Sequence, residues 1–539
     1  NNSQGVKIEV EGRQEHIDSF LRALNDELPP LAAISRMETV ELAIVGESGF
    51  SIINSKSGAS RSAEIAPDTH VCSDCLKELF DPSDRRYRYP FINCTNCGPR
   101  YSIVTNVPYD RPLTTMADFP MCPDCLQEYQ DPLSRRFHAQ PIACAACGPQ
   151  LSFYDAGGVE ADCDEPLQET IKRLKQGDIV AIKGLGGYHL AVDANNDSAV
   201  ERLRQRKHHD EKPFAVMAYS VDRVKRFAKV DVLEERMLTG PERPILLLEK
   251  IPGTSISRLV APRNRYFGVM LPYTPLHFLL LEQFTTLVMT SGNQSDEPIA
   301  FEDADAINRL EGIADAYLVH NRRIHIRTDD SIVRALKGEP LMLRRSRGYV
   351  PRGVLLPQDQ FSVLAVGAEL KNTICLSRGD RAYLSQHIGD LKNQEVVNSL
   401  QQSIDHLQGI LDVKPTIVAH DLHPDYLSTN VATSLNGMKK VAVQHHHAHL
   451  ASCMADNGVT GETIGVIFDG IGYGSDGHIW GGEFLLGDYS GFRRVGQFDY
   501  VSMPGGDAAT REPWRMAISY LMQAFGDDIP ESVLHFETD

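Results

Sequence analysis

The chain has 539 residues and a formal net charge of −18 at pH 7. Hydrophobic residues at 42% and charged residues at 23% are typical of folded domains, and the length predicts roughly three or four of them. The negative charge disfavours nucleic acid as a partner, no apolar run reaches the roughly 18 residues of a membrane span, and the start lacks a signal-peptide pattern. We therefore expect a cytoplasmic protein with reduced thiols and no membrane partner.

The first 58 residues predict a small α+β unit. Residues 5–10, 37–45 and 49–54 have the composition of strands, and residues 16–28 have the periodicity of an amphipathic helix.

Eight of the eleven cysteines lie in a unit that occurs twice within residues 60–150. Each copy has two Cys-x-x-Cys pairs separated by 18 residues, and both copies share Asp-Pro, Arg-Arg-aromatic and Gly-Pro. Four thiolates at this spacing close a tetrahedral shell around Zn²⁺. A closed shell favours a structural zinc site over a site that binds nucleic acid or a partner protein. Pairing within each copy is the default, but pairing between copies also fits the spacing. The predicted ligands are Cys72, Cys75, Cys94, Cys97, Cys122, Cys125, Cys144 and Cys147.

A basic cluster follows a strand, glycine turn and strand pattern after residue 177. Lys183 precedes the glycines, and Arg206 and Lys207 lie in the next predicted helix, residues 199–212. The small-residue turn at 290–294 offers backbone N–H groups and polar side chains to phosphate or carboxylate oxygens, so we predict an anion site. A solvated basic helix face is the alternative. Further predicted contacts are Lys212, Thr290, Ser291, Asn293, Ser331 and Arg345.

A Pro/Gly-rich stretch at 349–359 predicts a linker, and the remaining chain alternates strands and helices. GIGYGSDG at 470–477 contains the pattern GxGxxG but precedes a strand-like segment, whereas the dinucleotide motif must open a helix. We therefore reject a dinucleotide site and predict two hairpins that clamp ATP phosphates, as in the actin and Hsp70 architecture. The predicted contacts are Gly367, Lys371, Gly470, Gly472 and Gly474.

The histidine run in VQHHHAHL predicts a metal site. His445 and His449 are four residues apart where a strand passes into a helix, so their rings fall on one helical face. Asp469, at the end of the next strand, can add an oxygen ligand. Fe and Zn both suit this set, and a helix cap or a polar crevice is the alternative.

Seven motifs in this order resemble the hydrogenase-maturation carbamoyltransferase family HypF. They are the doubled cysteine unit, KGLGGYHLAVDA, RKHHDEKPFAVM, TSGNQSDEPI, RRSRGYVP, VQHHHAH and FDGIGYGSDGHIWGGE. The resemblance covers essentially the whole chain. It implies a multidomain α/β and α+β protein with a partial acylphosphatase-like domain of ferredoxin type (1–58), a duplicated zinc-finger region (60–150), a YrdC-like α/β domain (158–352) and a TsaD-like, ASKHA-type domain (360–539).

Three departures from the family pattern accompany this resemblance. Asn1 matches the catalytic asparagine of the acylphosphatase domain, whose phosphate-binding arginine would precede it, so hydrolysis of carbamoyl phosphate is in doubt for this sequence. A further metal-ligating aspartate of the TsaD-like domain is also expected beyond the sequence. His209 stands where the family pattern Lys-x-Arg has arginine.

The resemblance implies that carbamate, formed from carbamoyl phosphate, reacts with ATP and Mg²⁺ at Lys183, Arg206 and Lys207 to give carbamoyl adenylate. The TsaD-like domain would then transfer the carbamoyl group to the C-terminal cysteine of HypE, the precursor of a cyanide ligand of [NiFe]-hydrogenase. A tRNA threonylcarbamoyladenosine-type modifying enzyme is the alternative, since the same two domain types carry out that reaction. A non-catalytic ATP-dependent scaffold is the third hypothesis.

Overall fold

The structure, a computed structural model, describes residues 8–28, 34, 37–46, 49, 65–294 and 297–529. Helix α1 (Gln14–Asp26) forms close to the predicted helical segment. Asn1, predicted to be catalytic, lies outside the described residues, as does most of the strand predicted at 49–54.

The strand predicted at 37–45 is not formed. Its residues belong to no strand and most are exposed. The backbone N–H groups of Val45 and Gly46 donate to the Glu11 carboxylate at 2.6 and 3.0 Å instead of entering a ladder. A strand needs a neighbour that pairs its backbone groups, and residues 8–28 and 37–46 supply none.

The repeated cysteine region folds as two similar lobes. Helices α2 (Ser73–Phe80) and α3 (Pro123–Gln130) each begin directly after the first cysteine of their copy. Two short 3₁₀ helices, η1 (Arg111–Leu113) and η2 (Thr115–Asp118), lie between the lobes in sequence. In the second lobe the buried apolar cluster consists of only two cysteines, an alanine and an isoleucine. Such a small core needs a metal or another cross-link to fold stably.

A ten-stranded sheet forms the centre of the next region, with strand order β1-β8-β2-β3-β7-β4-β6-β5-β9-β10. Its strands are β1 (Leu151–Asp155), β2 (Val180–Lys183), β3 (Tyr188–Asp193), β4 (Ala215–Ala218), β5 (Ile245–Glu249), β6 (Tyr266–Met270), β7 (Thr286–Ser291), β8 (Ala316–His320), β9 (Ile332–Leu336) and β10 (Glu339–Arg344). Its helices are α4 (Pro166–Lys175), α5 (Asp197–Arg206), α6 (Val221–Val224), α7 (Val232–Thr239), α8 (Pro275–Leu281), α9 (Asp303–Arg309) and the 3₁₀ helix η3 (Arg258–Val260).

Both faces of this sheet are buried, because successive side chains of a strand point to opposite faces. Ala181 packs into one apolar cluster together with α5, α6, α7 and α9. Its neighbours Val180 and Ile182 pack into the other, which contains α4, α8 and apolar residues of the first cysteine lobe. The first lobe is therefore part of the core of the sheet domain.

The last region has a five-stranded sheet, β11-β13-β12-β14-β15, and a three-stranded sheet, β16-β17-β18. Its strands are β11 (Val354–Gln360), β12 (Val363–Ala365), β13 (Cys375–Leu384), β14 (Ile417–Asp421), β15 (Lys439–Val443), β16 (Thr463–Tyr473), β17 (Ile479–Gly487) and β18 (Phe492–Gln497). Its helices are α10 (Gln394–Leu411), α11 (Leu427–Ser434), α12 (His445–Asp456), α13 (Ala508–Arg511) and α14 (Trp514–Phe525). Strands β12, β14 and β15 are parallel, so their carboxyl ends meet at one edge.

The prediction of a linker at 349–359 is wrong for its second half. Residues from Val354 onward form β11, which pairs with β13 in an antiparallel ladder. Pro357 suggested irregular chain, but β11 is an edge strand, and an edge strand tolerates a proline.

A third apolar cluster joins the cysteine region to the last region. It contains Tyr101 and Val104 together with Leu364 and Leu376. The Tyr101 hydroxyl donates a 2.6 Å hydrogen bond to the Gln386 side chain in the interior. The cysteine region thus contacts both neighbours through buried surfaces. Within the described ranges, no helix combines the length and the apolar character needed to cross a membrane.

Candidate functional sites

The eight predicted cysteines form two clusters, one within each copy. Adjacent Sγ atoms lie 3.6–3.8 Å apart in both clusters. A tetrahedron of sulfurs at the Zn–S distance of about 2.3 Å has an edge of about 3.8 Å, so the observed spacing fits four-coordinate zinc. The geometry selects pairing within copies over pairing between them.

Each cysteine cluster is contacted by an arginine of the other copy. Arg85 donates through Nη2 to three sulfurs of the second cluster at 3.2–3.5 Å. Arg135, at the matching position, reaches the Cys72 and Cys75 sulfurs of the first cluster at 3.9–4.0 Å. Four thiolates around Zn²⁺ carry a net charge of −2, and each guanidinium offsets part of it. We call this arrangement the reciprocal arginine contact.

The next arginine in each copy also pairs with a residue of the other copy. Arg86 forms an ion pair with Glu128 of the second copy, and Arg136 forms one with Glu78 of the first. Both arginines are nearly fully buried, with 1% and 5% of their surface exposed. The Arg-Arg motif therefore acts across the interface between the two copies.

Lys207, Ser291 and Asn293 form the centre of the predicted anion site in the ten-stranded sheet domain. Lys207 follows α5, is 1% exposed, and donates to the Ser291 carbonyl at 2.6 Å and to the carbonyl and Oδ1 of Asn293 at 2.7 Å. The Ser291 hydroxyl also donates to Asn293 Oδ1. Burial, followed by the charge of Lys212, lowers the pKa of Lys207 to about 7. The amine therefore fixes the shape of the turn after β7.

Two other predicted cations are placed differently. Arg206 is not brought to Lys207, because its guanidinium donates to Asp315 at 2.7 Å and to the Ile313 carbonyl at 3.0 Å. Lys183, at the end of β2, is buried and forms an ion pair with Asp303 at 2.6 Å. Neither side chain hydrogen-bonds with the Lys207 group.

The remaining predictions near this site fall into two groups. Lys212 is exposed, and Thr290 lies in β7 opposite Leu190. The Ser331 hydroxyl is buried and used internally, donating to the Arg347 carbonyl, and Arg345 donates to a backbone carbonyl. Their proposed nucleotide contacts stay predictions.

Two glycine turns in the last region adopt the predicted hairpin geometry. Gly367 has φ +71°, and a Cβ there would lie 2.6 Å from a backbone oxygen, so the turn requires glycine. Lys371 in the same turn donates its backbone N–H to Asp390 at 2.8 Å. The second turn joins antiparallel β16 and β17, and a Cβ on Gly472 would lie 2.4 Å from the His446 ring. The glycines therefore bring this hairpin against the start of α12, while Gly470 and Gly474 lie on either side.

His445, His449 and Asp469 meet beside that hairpin, with ligand atoms within 4.8 Å of one another. The Asp469 Oδ2 atom lies 2.8 Å from His445 Nε2 and 3.5 Å from His449 Nε2. Two imidazoles and a carboxylate that leave other positions open suit Zn or Fe. The histidines lie one turn apart at the start of α12, as the spacing predicted.

Asp421 is a residue that the sequence analysis missed. It ends β14, its side chain is 5% exposed, and its Oδ2 lies 2.6 Å from His445 Nδ1. Such a carboxylate accepts the Nδ1–H of a metal-binding histidine and holds Nε2 toward the metal. Parallel pairing of β14 with β15 places Asp421 beside the strand that leads into α12.

Family models cover most of the chain. The model "HypF finger" matches residues 71–104 and 121–154, and the model described as "Telomere recombination" (Sua5/YciO/YrdC) matches 172–346. "HypF Kae1-like domain" matches 358–456, and "Carbamoyltransferase, Kae1-like Domain, second subdomain" matches 465–538.

Curated relatives extend the match to 97% of the chain. "Carbamoyltransferase HypF2" of Cupriavidus necator is 48% identical, and the alignment covers 97% of this chain and 68% of the relative. The chain belongs to the HypF family. HypF of Rhizobium leguminosarum bv. viciae is 46% identical with the same coverage.

Solved HypF structures agree with this membership. A full-length HypF in a phosphate- and nucleotide-bound form superposes with a TM-score of 0.91 at 46% identity, over 97% of this chain and 69% of that one. HypF from T. kodakarensis gives 0.88 at 42% identity, over 97% and 68%. These matches fit the tRNA-modifying alternative less well, because the model that matches both finger copies is described as "HypF finger".

Removing the Asp421 carboxylate should weaken metal binding at the histidines of this HypF chain. We expect Asp421→Ala to lower the affinity for Zn²⁺ or Fe²⁺ by about 10- to 100-fold, because His445 loses the group that orients it. Competition with a chelating dye on the zinc-loaded protein measures this. Asp421→Asn should retain most of the affinity, since its amide oxygen still accepts the Nδ1–H. Asp425→Ala, on the exposed neighbouring loop, is the control, and equal affinities in all variants would contradict the role.

Proposed function

We propose that this chain activates carbamate with ATP and transfers the carbamoyl group to the C-terminal cysteine of HypE, in the cytoplasm. The observation that carries this proposal is the presence, in one HypF chain, of a lysine-centred anion site and a histidine–aspartate site beside a glycine hairpin. The finger region packs against both domains, which supports transfer between fixed sites.

In the first step, carbamate obtained from carbamoyl phosphate attacks the α-phosphorus of ATP. A carboxylate oxygen forms the new P–O bond, and the bond to pyrophosphate breaks, which gives carbamoyl adenylate. Lys207 supports this step by holding the Ser291–Asn293 turn and by its positive charge, and the exposed Lys212 would neutralise charge on the departing pyrophosphate. Mg²⁺ accompanies the triphosphate.

In the second step, the thiolate of HypE attacks the carbamoyl carbon and AMP leaves. His445, His449 and Asp469 would hold a metal that neutralises phosphate charge of the adenylate. The Gly367 and Gly472 segments would offer backbone N–H groups to the phosphates of the nucleotide. Because carbamoyl adenylate hydrolyses in water, we infer that both sites lie in one chain to limit its escape.

Mass spectrometry tests the proposal. HypE incubated with this protein, ATP and carbamoyl phosphate should gain one carbamoyl group on its C-terminal cysteine, with release of AMP and pyrophosphate. HypE whose terminal cysteine is replaced by serine is the matched control. Modification of tRNA in place of HypE, or no modification while ATP is bound, would instead support the tRNA enzyme or the scaffold.

A further inference from the structure

His209 is a buried histidine without a hydrogen-bonded side chain, two residues from Lys207. It lies in the segment between α5 and β4 and is 8% exposed. Its ring stacks on the Phe214 ring, with centroids 5.8 Å apart and ring planes inclined by 29°. Neither ring nitrogen has a hydrogen-bond partner among the described residues, and Nδ1 is buried. Buried polar groups normally have such a partner, so this ring points to a ligand.

Arg204 fixes the segment that carries the His209 ring. Its Nη1 atom donates to the carbonyls of His209 at 2.6 Å, Asp210 at 3.1 Å and Lys212 at 3.2 Å. Its Nε and Nη2 atoms donate to the Leu259 carbonyl at 3.0 and 2.6 Å. The backbone that carries His209 and Lys212 is therefore held in place by a buried guanidinium.

The charges that act on the His209 ring are all positive. Burial, followed by these charges, lowers the pKa of His209 to about 3, so the ring is neutral in the free protein. The aromatic ring packed against it, Phe214, carries no charge. The cations that act on the ring are Lys207, Lys212 and Arg204. An anion bound among them would offset the charges that keep the ring neutral.

The carboxylates of this segment are engaged elsewhere. Asp210 is exposed and acts on the charge of Arg204, and Glu211 pairs with Arg263 at 2.7 Å. Lys212 forms no ion pair among the described residues. Lys207 is influenced by the charge of Asp329, which is opposed by those of Lys212 and Arg309. The segment from Lys207 to Lys212 therefore combines a positive potential with one neutral ring that can titrate.

We propose that His209 contacts a phosphate anion of the pyrophosphate type bound between Lys207 and Lys212, and that its ring takes up one proton as the anion binds. The proton comes from solvent and adds to the free nitrogen of the imidazole, and the imidazolium donates to an anion oxygen. No other bond changes. The identification of this anion with the pyrophosphate part of ATP rests on the proposed function.

The direction of the pH dependence follows from this proton. An opposite charge within roughly 4–6 Å favours the charged form of a histidine, and pyrophosphate carries several negative charges. The bound anion therefore raises the pKa of His209 above its value in the free protein. Because the bound state holds more protons, binding should strengthen as the pH falls.

Calorimetric titration of the whole chain with sodium pyrophosphate at about pH 6, without Mg²⁺, measures the proton. The titration is run in cacodylate and in Bis-Tris, whose ionisation enthalpies differ, so the difference in heat gives the number of protons taken up. Lys207 is already largely charged at this pH, because its pKa is about 7. We expect the unaltered protein to take up roughly half a proton or more per pyrophosphate beyond the uptake of His209→Arg.

The variants of His209 separate the contact from the proton. His209→Arg is always charged, so it should bind pyrophosphate at least as tightly, without the extra proton and with a smaller gain in affinity from about pH 7.5 to about pH 6. His209→Gln can donate but cannot titrate, so it should bind about tenfold more weakly at about pH 6 and take up no extra proton. His208→Gln, at the exposed neighbouring position, is the matched control and should behave like the unaltered protein.

Three results would overturn the proposal. They are no pyrophosphate binding by the unaltered protein, equal proton uptake by the unaltered protein and His209→Arg, and unchanged binding by Lys207→Met, which would place the anion elsewhere. His209→Arg decides the question even where His209→Gln does not fold. ATP–pyrophosphate exchange with carbamate, measured in parallel, reports on the proposed function separately. Proton-linked pyrophosphate binding without exchange would retain the His209 contact and remove the function.

Discussion

Lys207→Met should lower carbamate-dependent ATP–pyrophosphate exchange by about 10²–10³-fold, the usual cost of losing one charged or hydrogen-bonding group that stabilises a transition state. The change removes a buried cation, and two carbonyl oxygens and the Asn293 Oδ1 atom lose the hydrogen bonds that Lys207 donates to them. Both the charge and the shape of the Ser291–Asn293 turn are therefore lost. The exchange of radioactive pyrophosphate into ATP, with carbamate supplied as ammonium bicarbonate or from carbamoyl phosphate, measures the effect.

The double variant His445→Ala, His449→Ala is the matched comparison. These histidines lie in α12, in a domain with its own glycine turns, so exchange should be largely retained while transfer to HypE fails. Circular dichroism would check that both variants are folded. Equal loss of exchange in the two variants would mean that a single site performs both steps.

Cys72→Ser should have the largest effect on folding. Structural zinc contributes roughly 10–16 kcal/mol in finger peptides, which is comparable to the roughly 5–15 kcal/mol stability of a whole domain. The other three cysteines of this cluster pack into the core shared with α8 and the ten-stranded sheet. We therefore expect insoluble or protease-sensitive protein with about one zinc per chain instead of about two, as measured by elemental analysis and limited proteolysis.

Cys122→Ser provides the control for that prediction. It removes the equivalent ligand of the second cluster, whose apolar contacts form a separate small group. The variant should also lose about one zinc, but the sheet domain should keep its resistance to protease. A well-folded Cys72→Ser protein that had lost only catalysis would contradict the structural role.

The sequence predicted those features of the fold and sites that depend on residues close together in the chain. Two Cys-x-x-Cys pairs 18 residues apart, or His445 and His449 one helical turn apart, specify their ligand sets through local geometry. The strand-turn-strand reading of 470–477 succeeded for the same reason, since a strand-like segment follows the glycines directly.

The features that the sequence did not predict depend on distant partners. Asp421 reaches His445 because β14 and β15 are parallel neighbours. No local sequence pattern indicates that these two strands pair. Arg206 was expected at the anion site from its position next to Lys207, but side chains at successive helical positions point in different directions. The Arg206 guanidinium therefore reaches Asp315, which lies more than one hundred residues further along the chain.

The reciprocal arginine contact constrains how the duplicated unit can change. In each copy the four cysteines form their own metal-binding cluster. The arginines contact the sulfurs and the glutamate of the other copy. The two copies therefore contact each other reciprocally, as the two subunits of a symmetric dimer do, although here they belong to one chain. A mutation in one copy changes the environment of the metal in the other, so the copies must diverge as a pair. Excising either copy would leave the survivor with thiolates that lack the guanidinium of the other copy and with arginines that lack their nearest carboxylate.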